Sequence, residues 1–154
     1  MAKVTIIAGL CGSGKTCKTN ELKKQYSKRN EKVEMFKEIF DADTEEKIQR
    51  LLKSLKLGID CIVEEALCCV PYHRTRICEK LDLVDPKPEI EWVLFENNLE
   101  VANWYVQTRQ YDEAEVAQLI EKERDRLIKF NTEQLHPNYG AGDITTIPIR
   151  RRKQ

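Results

Sequence analysis

Neither sign of charge prevails in this chain of 154 residues, where 26 lysines and arginines face 26 aspartates and glutamates. With no net charge there is no global field to recruit nucleic acid or a membrane surface, so a polyanion would have to meet a local patch. The one compact basic run, Arg150-Arg151-Arg152-Lys153, reads first as a solvated tail. No apolar stretch approaches the ~20 residues that span a bilayer, and no membrane partner is expected. Repeats, low-complexity segments and a dividing linker are also missing, which leaves a single domain over 1–154 with a short basic tail at about 150–154. The six cysteines, at 11, 17, 61, 68, 69 and 78, lack the paired Cys-x-x-Cys spacing of a zinc site, and no secretory leader precedes the first strand. Buried free thiols in a reducing cytoplasm are the expectation.

What is present begins at residue 4. Val4-Thr5-Ile6-Ile7-Ala8 is an apolar, β-branched run of the kind that forms a strand buried on both faces. Residues 9–16, Gly-Leu-Cys-Gly-Ser-Gly-Lys-Thr, then match the P-loop pattern of glycine, four residues, glycine, lysine and serine or threonine. From Lys15 to about Arg29 the chain is polar and largely free of glycine and proline, so it can be helix. In that setting the glycines turn backbone N–H groups inward, where a β-carbon would meet a phosphate, and the following helix adds its positive end. Lys15 would reach the β- and γ-phosphates and the Thr16 hydroxyl would ligate Mg²⁺. A turn that merely joins strand to helix would not call for lysine and threonine straight after the last glycine. The expected cofactors are therefore ATP and Mg²⁺, held by Gly9, Cys11, Gly12, Ser13, Gly14, Lys15 and Thr16.

The remainder alternates between two periods. Residues 32–37 read as a second strand with Val33 and Met35 on one face. Ile48, Leu51, Leu52 and Leu55 recur at helical spacing over about 44–57, with Asp43 as N-cap, Glu46 three residues on and Gly58 past the end. Residues 59–66 form a third strand, apolar until Glu64 and Glu65. Pro71 opens a helix to about Leu83, and residues 90–95 make a fourth strand with Trp92 in the core. A helix over about 99–108 follows, then a longer one capped by Asp112 with Glu115 three residues later. Residues 136–143 are loop, and 144–149 a last strand. Strands alternating with helices imply an α/β fold with a parallel sheet and right-handed crossovers.

In such sheets ligands gather at the carboxyl ends of the strands, the edge that carries the P-loop and the Glu64-Glu65 pair. Adjacent strand residues point to opposite faces. One of the two carboxylates is thus expected to join the Mg²⁺ shell or position water while the other packs toward a helix or solvent, and the pattern leaves open which.

Over essentially its whole length the chain resembles small P-loop kinases, with the polynucleotide-kinase-like group and short phage-type nucleotide kinases nearest. Val63-Glu64-Glu65-Ala66 followed by Pro71-Tyr72-His73-Arg74 is similar to their acidic strand end and Pro-x-x-Arg helix, although many relatives carry aspartate there. Phe95-Glu96-Asn97-Asn98, then Asn103 and Arg109, is similar to their fourth strand and lid helix. The resemblance implies a three-layer α/β/α P-loop kinase fold with a five-stranded parallel sheet in the order 2-3-1-4-5.

It also implies roles. Related kinases often place a proton-accepting aspartate after the second strand, which points to Asp41, with Asp43 as a rival whose Asp-x-x-Glu spacing favours helix capping. Arg109 would be the lid cation over the transferring phosphate, with Arg124 and Arg126 as alternatives. Arg74 and Arg76 would meet a substrate phosphate or base, and Asn138 and Tyr139 lie where such folds often hold adenine. The implied activity is ATP-dependent transfer of phosphate to a hydroxyl or phosphate of a nucleoside, nucleotide or nucleic-acid end. Balanced charge and small size favour a small acceptor, while the basic tail keeps the nucleic-acid end open. A nucleotide-binding switch or an NTPase component of an assembly is the other class. Against it stand the lack of an Asn-Lys-x-Asp guanine-reading sequence and of an added domain to transmit a stroke.

Overall fold

In a computed structural model of the chain, every strand starts within one residue of the apolar run that announces it. The structure describes residues 1–9, 13–69, 71–95, 99–107, 112–132 and 143–148. In chain order the elements are β1 (Lys3–Ala8), α1 (Lys15–Lys28), β2 (Val33–Lys37), α2 (Thr44–Lys56), β3 (Asp60–Glu64), a 3₁₀ turn (Ala66–Cys69), α3 (Pro71–Leu81), β4 (Glu89–Phe95), α4 (Leu99–Gln107), α5 (Glu113–Thr132) and β5 (Asp143–Ile147). The five strands pair in parallel in the order β2-β3-β1-β4-β5, as expected.

β1 is central, and its period-2 alternation sorts the core into two layers. Val4, Ile6 and Ala8 join Ile48, Leu51, Leu52 and Leu55 of α2 and Ile77 and Leu81 of α3. Ile7 points the other way, with Ile62, Val93 and Phe95, toward Tyr26 and Leu22 of α1. Val33 and Met35 of β2 pack on that second layer. Helices on both faces leave the strand interiors dry: Val4, Ile6 and Ile7 are wholly buried. Trp92 is a core residue, and its Nε1 has no hydrogen-bond partner among the described residues. No described helix is long and apolar enough to cross a membrane.

Three local expectations need correction. Asp43 occupies the N-cap position of α2 but its side chain makes no capping bond. Its backbone is left-handed, with φ 52°, whereas a capping aspartate needs the extended backbone that aims its carboxylate at the N2 and N3 amides. Asp112 does cap: its Oδ1 accepts the Glu115 N–H at 2.8 Å. The third strand ends at Glu64 rather than 66, because the chain tightens into the 3₁₀ turn. Among the thiols, Cys61 and Cys68 are buried as expected, but Cys17 is exposed on α1. Burial pushes the Cys61 thiol up to about 12, with the charges of Glu34 and Asp60 adding to it. Cys11 and the basic tail lie outside the described residues.

At the amino ends of the strands, Asp60 ties three elements together. It accepts the Lys3 backbone N–H and the Tyr26 hydroxyl, both at 2.9 Å. Burial, then that hydrogen bond, holds the Tyr26 phenol well above its ordinary value. The unfolded chain releases this proton near pH 10 while the folded chain keeps it, so stability falls as pH rises above ~10. Tyr26→Phe is expected to cost about 1 kcal/mol below pH 9. In urea unfolding its deficit against wild type should then shrink as pH is raised to ~11; a constant deficit would contradict the assignment.

Candidate nucleotide site

The carboxyl ends of β1, β3 and β2 open on one edge of the sheet, and the P-loop leaves β1 there. Its first residue, Gly9, stands against Phe95 at the end of β4. A β-carbon on Gly9 would stand 2.5 Å from Ser13 Oγ and 2.9 Å from Phe95 Cβ, closer than real atoms approach. Gly14 closes the loop as the N-cap of α1 with φ 104°, a left-handed backbone that side chains strain. These two glycines flank the turn from β1 to α1, and both stand against Phe95, a β-carbon on Gly14 lying 3.5 Å from its ring.

Inside that turn the polar groups converge. Ser13 is buried, and its Oγ has no hydrogen-bond partner among the described residues. The Lys15 side chain folds back along the loop, and Nζ donates to the Gly9 carbonyl at 2.8 Å. Thr16 Oγ1 donates to Glu64 Oε1 at 2.9 Å, and Thr19 Oγ1, one helical turn on, donates to Glu64 Oε2 at 3.1 Å. Glu64 itself is buried at the end of β3. Strand register holds it there, since Ile7 of β1 and Lys37 of β2 are its partners on either side. The Lys37 ammonium lies 3.7 Å from Oε2, so the carboxylate sits between two hydroxyls and a cation.

The two carboxylates, Glu64 and Glu65, have different partners. Glu64 is the carboxylate joined to Thr16, whereas Glu65 accepts the Leu67 N–H at 3.0 Å and braces the 3₁₀ turn. Asp41 is exposed in the turn after β2, its N–H bonded to Glu38 O at 3.2 Å. That turn adjoins the site, because the Glu38 N–H donates to the Glu64 carbonyl at 3.0 Å. Glu38 and Asp43, both at φ 52°, bracket Asp41 with left-handed backbone, the kind of local strain that gathers at functional loops. Arg74, read as a substrate contact, is instead buried in α3, and its Nη1 donates to the Cys68 carbonyl at 3.1 Å. Arg124 pairs with Glu121 on exposed α5. Cys11, Gly12, Arg109, Asn138 and Tyr139 lie outside the described residues.

Thr19 and Lys37 were not singled out by sequence, and Phe95 was named only as the end of the fourth strand. Thr19 was detectable as the residue one turn beyond Thr16 on the same helix face. Lys37 becomes visible only once β2 is paired with β3.

These residues fit the groups the motif implies. A buried hydroxyl without a partner, a loop closed to any β-carbon at Gly9 and a lysine laid over it suit a phosphate chain. The Thr16 hydroxyl and Glu64 carboxylate are hard oxygen donors of the type Mg²⁺ takes.

No family model matches the chain, and no curated protein matches it in sequence. Solved structures do. Kti12 from Chaetomium thermophilum, in complex with ADP-AlF3, is similar at TM-score 0.60 and 13% identity, over 95% of this chain and 88% of its own. Deoxyadenosine kinase from M. mycoides, with bound dATP, follows at TM-score 0.48 and 13% identity, over 95% and 90%. With the strand order, the Kti12 likeness shows an α/β fold of the P-loop kinase type.

Gly9→Ala is expected to destabilise the chain by about 1–3 kcal/mol in urea unfolding, because Ser13 and Phe95 must both move aside. A change within about 0.5 kcal/mol would show that the loop does not depend on this close approach.

Proposed function

We propose that the chain is an ATP-dependent phosphotransferase of the polynucleotide-kinase-like and phage-type nucleotide kinase group. It would move the γ-phosphate to a hydroxyl or phosphate of a nucleoside, nucleotide or nucleic-acid end in the cytoplasm. The observation that carries this reading is the Thr16–Glu64 hydrogen bond at the mouth of the glycine loop. It joins the last P-loop residue to a buried carboxylate on the neighbouring strand, a pairing that a plain strand-to-helix turn has no use for. The nucleotide in the Kti12 complex supports the same use of the loop.

Phosphoryl transfer asks a protein chiefly for positioning and charge neutralisation. The loop amides and the amino end of α1 would bind the phosphates. Lys15 would exchange its bond to the Gly9 carbonyl for phosphate oxygens. Thr16 and Glu64 would hold Mg²⁺, which when bound neutralises charge on the phosphates. Thr19 and Lys37 keep the Glu64 carboxylate oriented in its buried position. Asp41 would accept the acceptor's proton, Arg109 would cover the transferring phosphate, and Asn138 and Tyr139 would hold adenine.

The test is transfer of labelled γ-phosphate to nucleosides, nucleoside monophosphates, 5′-hydroxyl oligonucleotides and modified DNA. Lys15→Ala should lower transfer roughly 10²-fold or more with the fold retained, and Asp41→Asn should slow transfer while leaving ATP affinity near wild type. Unchanged transfer in Lys15→Ala would refute the P-loop mechanism, and ATP turnover independent of every acceptor would favour a switch or assembly component.

A further inference from the structure

A second group of side chains stands at the same sheet edge, just beyond β2. Phe40 lies in the turn between β2 and α2 and is partly buried against the core. Tyr72, His73 and Arg76 lie in the first turns of α3. The Arg76 guanidinium carbon is 4.8 Å from the Phe40 ring centroid and 5.6 Å from that of Tyr72. The His73 ring is 4.9 Å from Phe40, tilted by 41°, and 5.1 Å from Tyr72, edge-on at 76°. Three rings and a guanidinium therefore form one π cluster across two elements, in which Tyr72 is 66% exposed and Phe40, His73 and Arg76 are half-buried.

Its position relative to the P-loop follows from register. β3 separates β2 from β1, and at ~4.8 Å per strand the end of β2 is about 10 Å from the end of β1. Lys37, at that end, touches Glu64, and Phe40 is three residues farther on, next to Asp41. The surface thus lies on the Glu64 side of the P-loop, beyond the carboxylate and beside the turn that carries Asp41. Stacking faces interleaved with a cation bind single nucleotides whatever their base, because every base has a π-face and its phosphate pairs with guanidinium.

We propose that Phe40, Tyr72, His73 and Arg76 seat the base of a nucleotide acceptor. The acceptor is then nucleobase-bearing, supplied as a free nucleoside monophosphate or as the end of a single strand. The proposal rests on the P-loop being the phosphoryl-donor site.

Calorimetric titration separates the two. Wild type, Tyr72→Ala, Tyr72→Phe and Arg76→Ala are each titrated with a non-hydrolysable ATP analogue. With that analogue and Mg²⁺ present, each is then titrated with the four common nucleoside monophosphates and with a 5′-hydroxyl hexathymidylate. Wild type should bind at least one acceptor probe. Tyr72→Ala and Arg76→Ala should weaken that binding about fivefold or more, Tyr72→Phe should keep it, and the analogue's affinity should be the same in all four. Binding of a monophosphate alone assigns a free nucleotide, and binding of the oligonucleotide alone assigns a strand end. A wild type that takes the analogue but no acceptor probe overturns the proposal, as does a Tyr72→Ala variant that binds like wild type. A wild type that fails to bind the analogue overturns the donor-site reading and this proposal with it.

Discussion

A carboxylate buried at the end of a parallel strand must be answered by hydrogen bonds or opposite charge, since desolvation without them costs several kcal/mol. Glu64 is that carboxylate, and its answers come from two other elements. Thr16 and Thr19 reach it from α1 and Lys37 from β2, while the Glu38 N–H donates to the backbone carbonyl of the same residue. Each bond fixes something the site needs. The two threonines set the rotation of α1 about its axis. The Glu38 bond draws the turn carrying Phe40 and Asp41 up to the same edge.

The second constraint is steric. β1 and β4 are paired along their whole length, with Ala8 opposite Leu94, so Phe95 and Gly9 are forced together just past the end of the ladder. Only a residue without a β-carbon lets the chain turn there and still tuck Ser13 beneath it. The close approach at Gly9 therefore comes from the sheet as much as from the glycine itself. Lys15, lying against the Gly9 carbonyl, is already held near the loop rather than extended into solvent.

The fold was readable because its signals are local. Apolar runs of the right length located the strands, α2 showed its stripe of Ile48, Leu51, Leu52 and Leu55, and Asp112 capped α5 as its spacing suggested. The glycine spacing located the loop. What escaped depended on partners far apart in sequence or on backbone angles. Glu64 and Glu65 are alike as residues, and the pairing of β3 with both β1 and β2 is what separates them. Asp43 has the capping spacing, but its left-handed φ removes the bond. Arg74 was read as meeting a substrate phosphate or base, but α3 turns it inward onto the Cys68 carbonyl. Lys37 meets Glu64 only across a strand pair, and Phe40, in the turn between β2 and α2, meets Arg76 of α3 only in the folded chain.

The central claim is that Thr16 and Glu64 together hold the metal of a metal–nucleotide complex at this edge. Its most direct test is calorimetric affinity for ATP, with Mg²⁺ and with chelator, in wild type and in Glu64→Gln. The glutamine keeps the shape and an acceptor for the threonine hydroxyls while removing the charge. Wild type should bind ATP more tightly with Mg²⁺ than without, and Glu64→Gln should lose most of that difference while binding metal-free ATP at least as well. An equal Mg²⁺ effect in both proteins would contradict the claim.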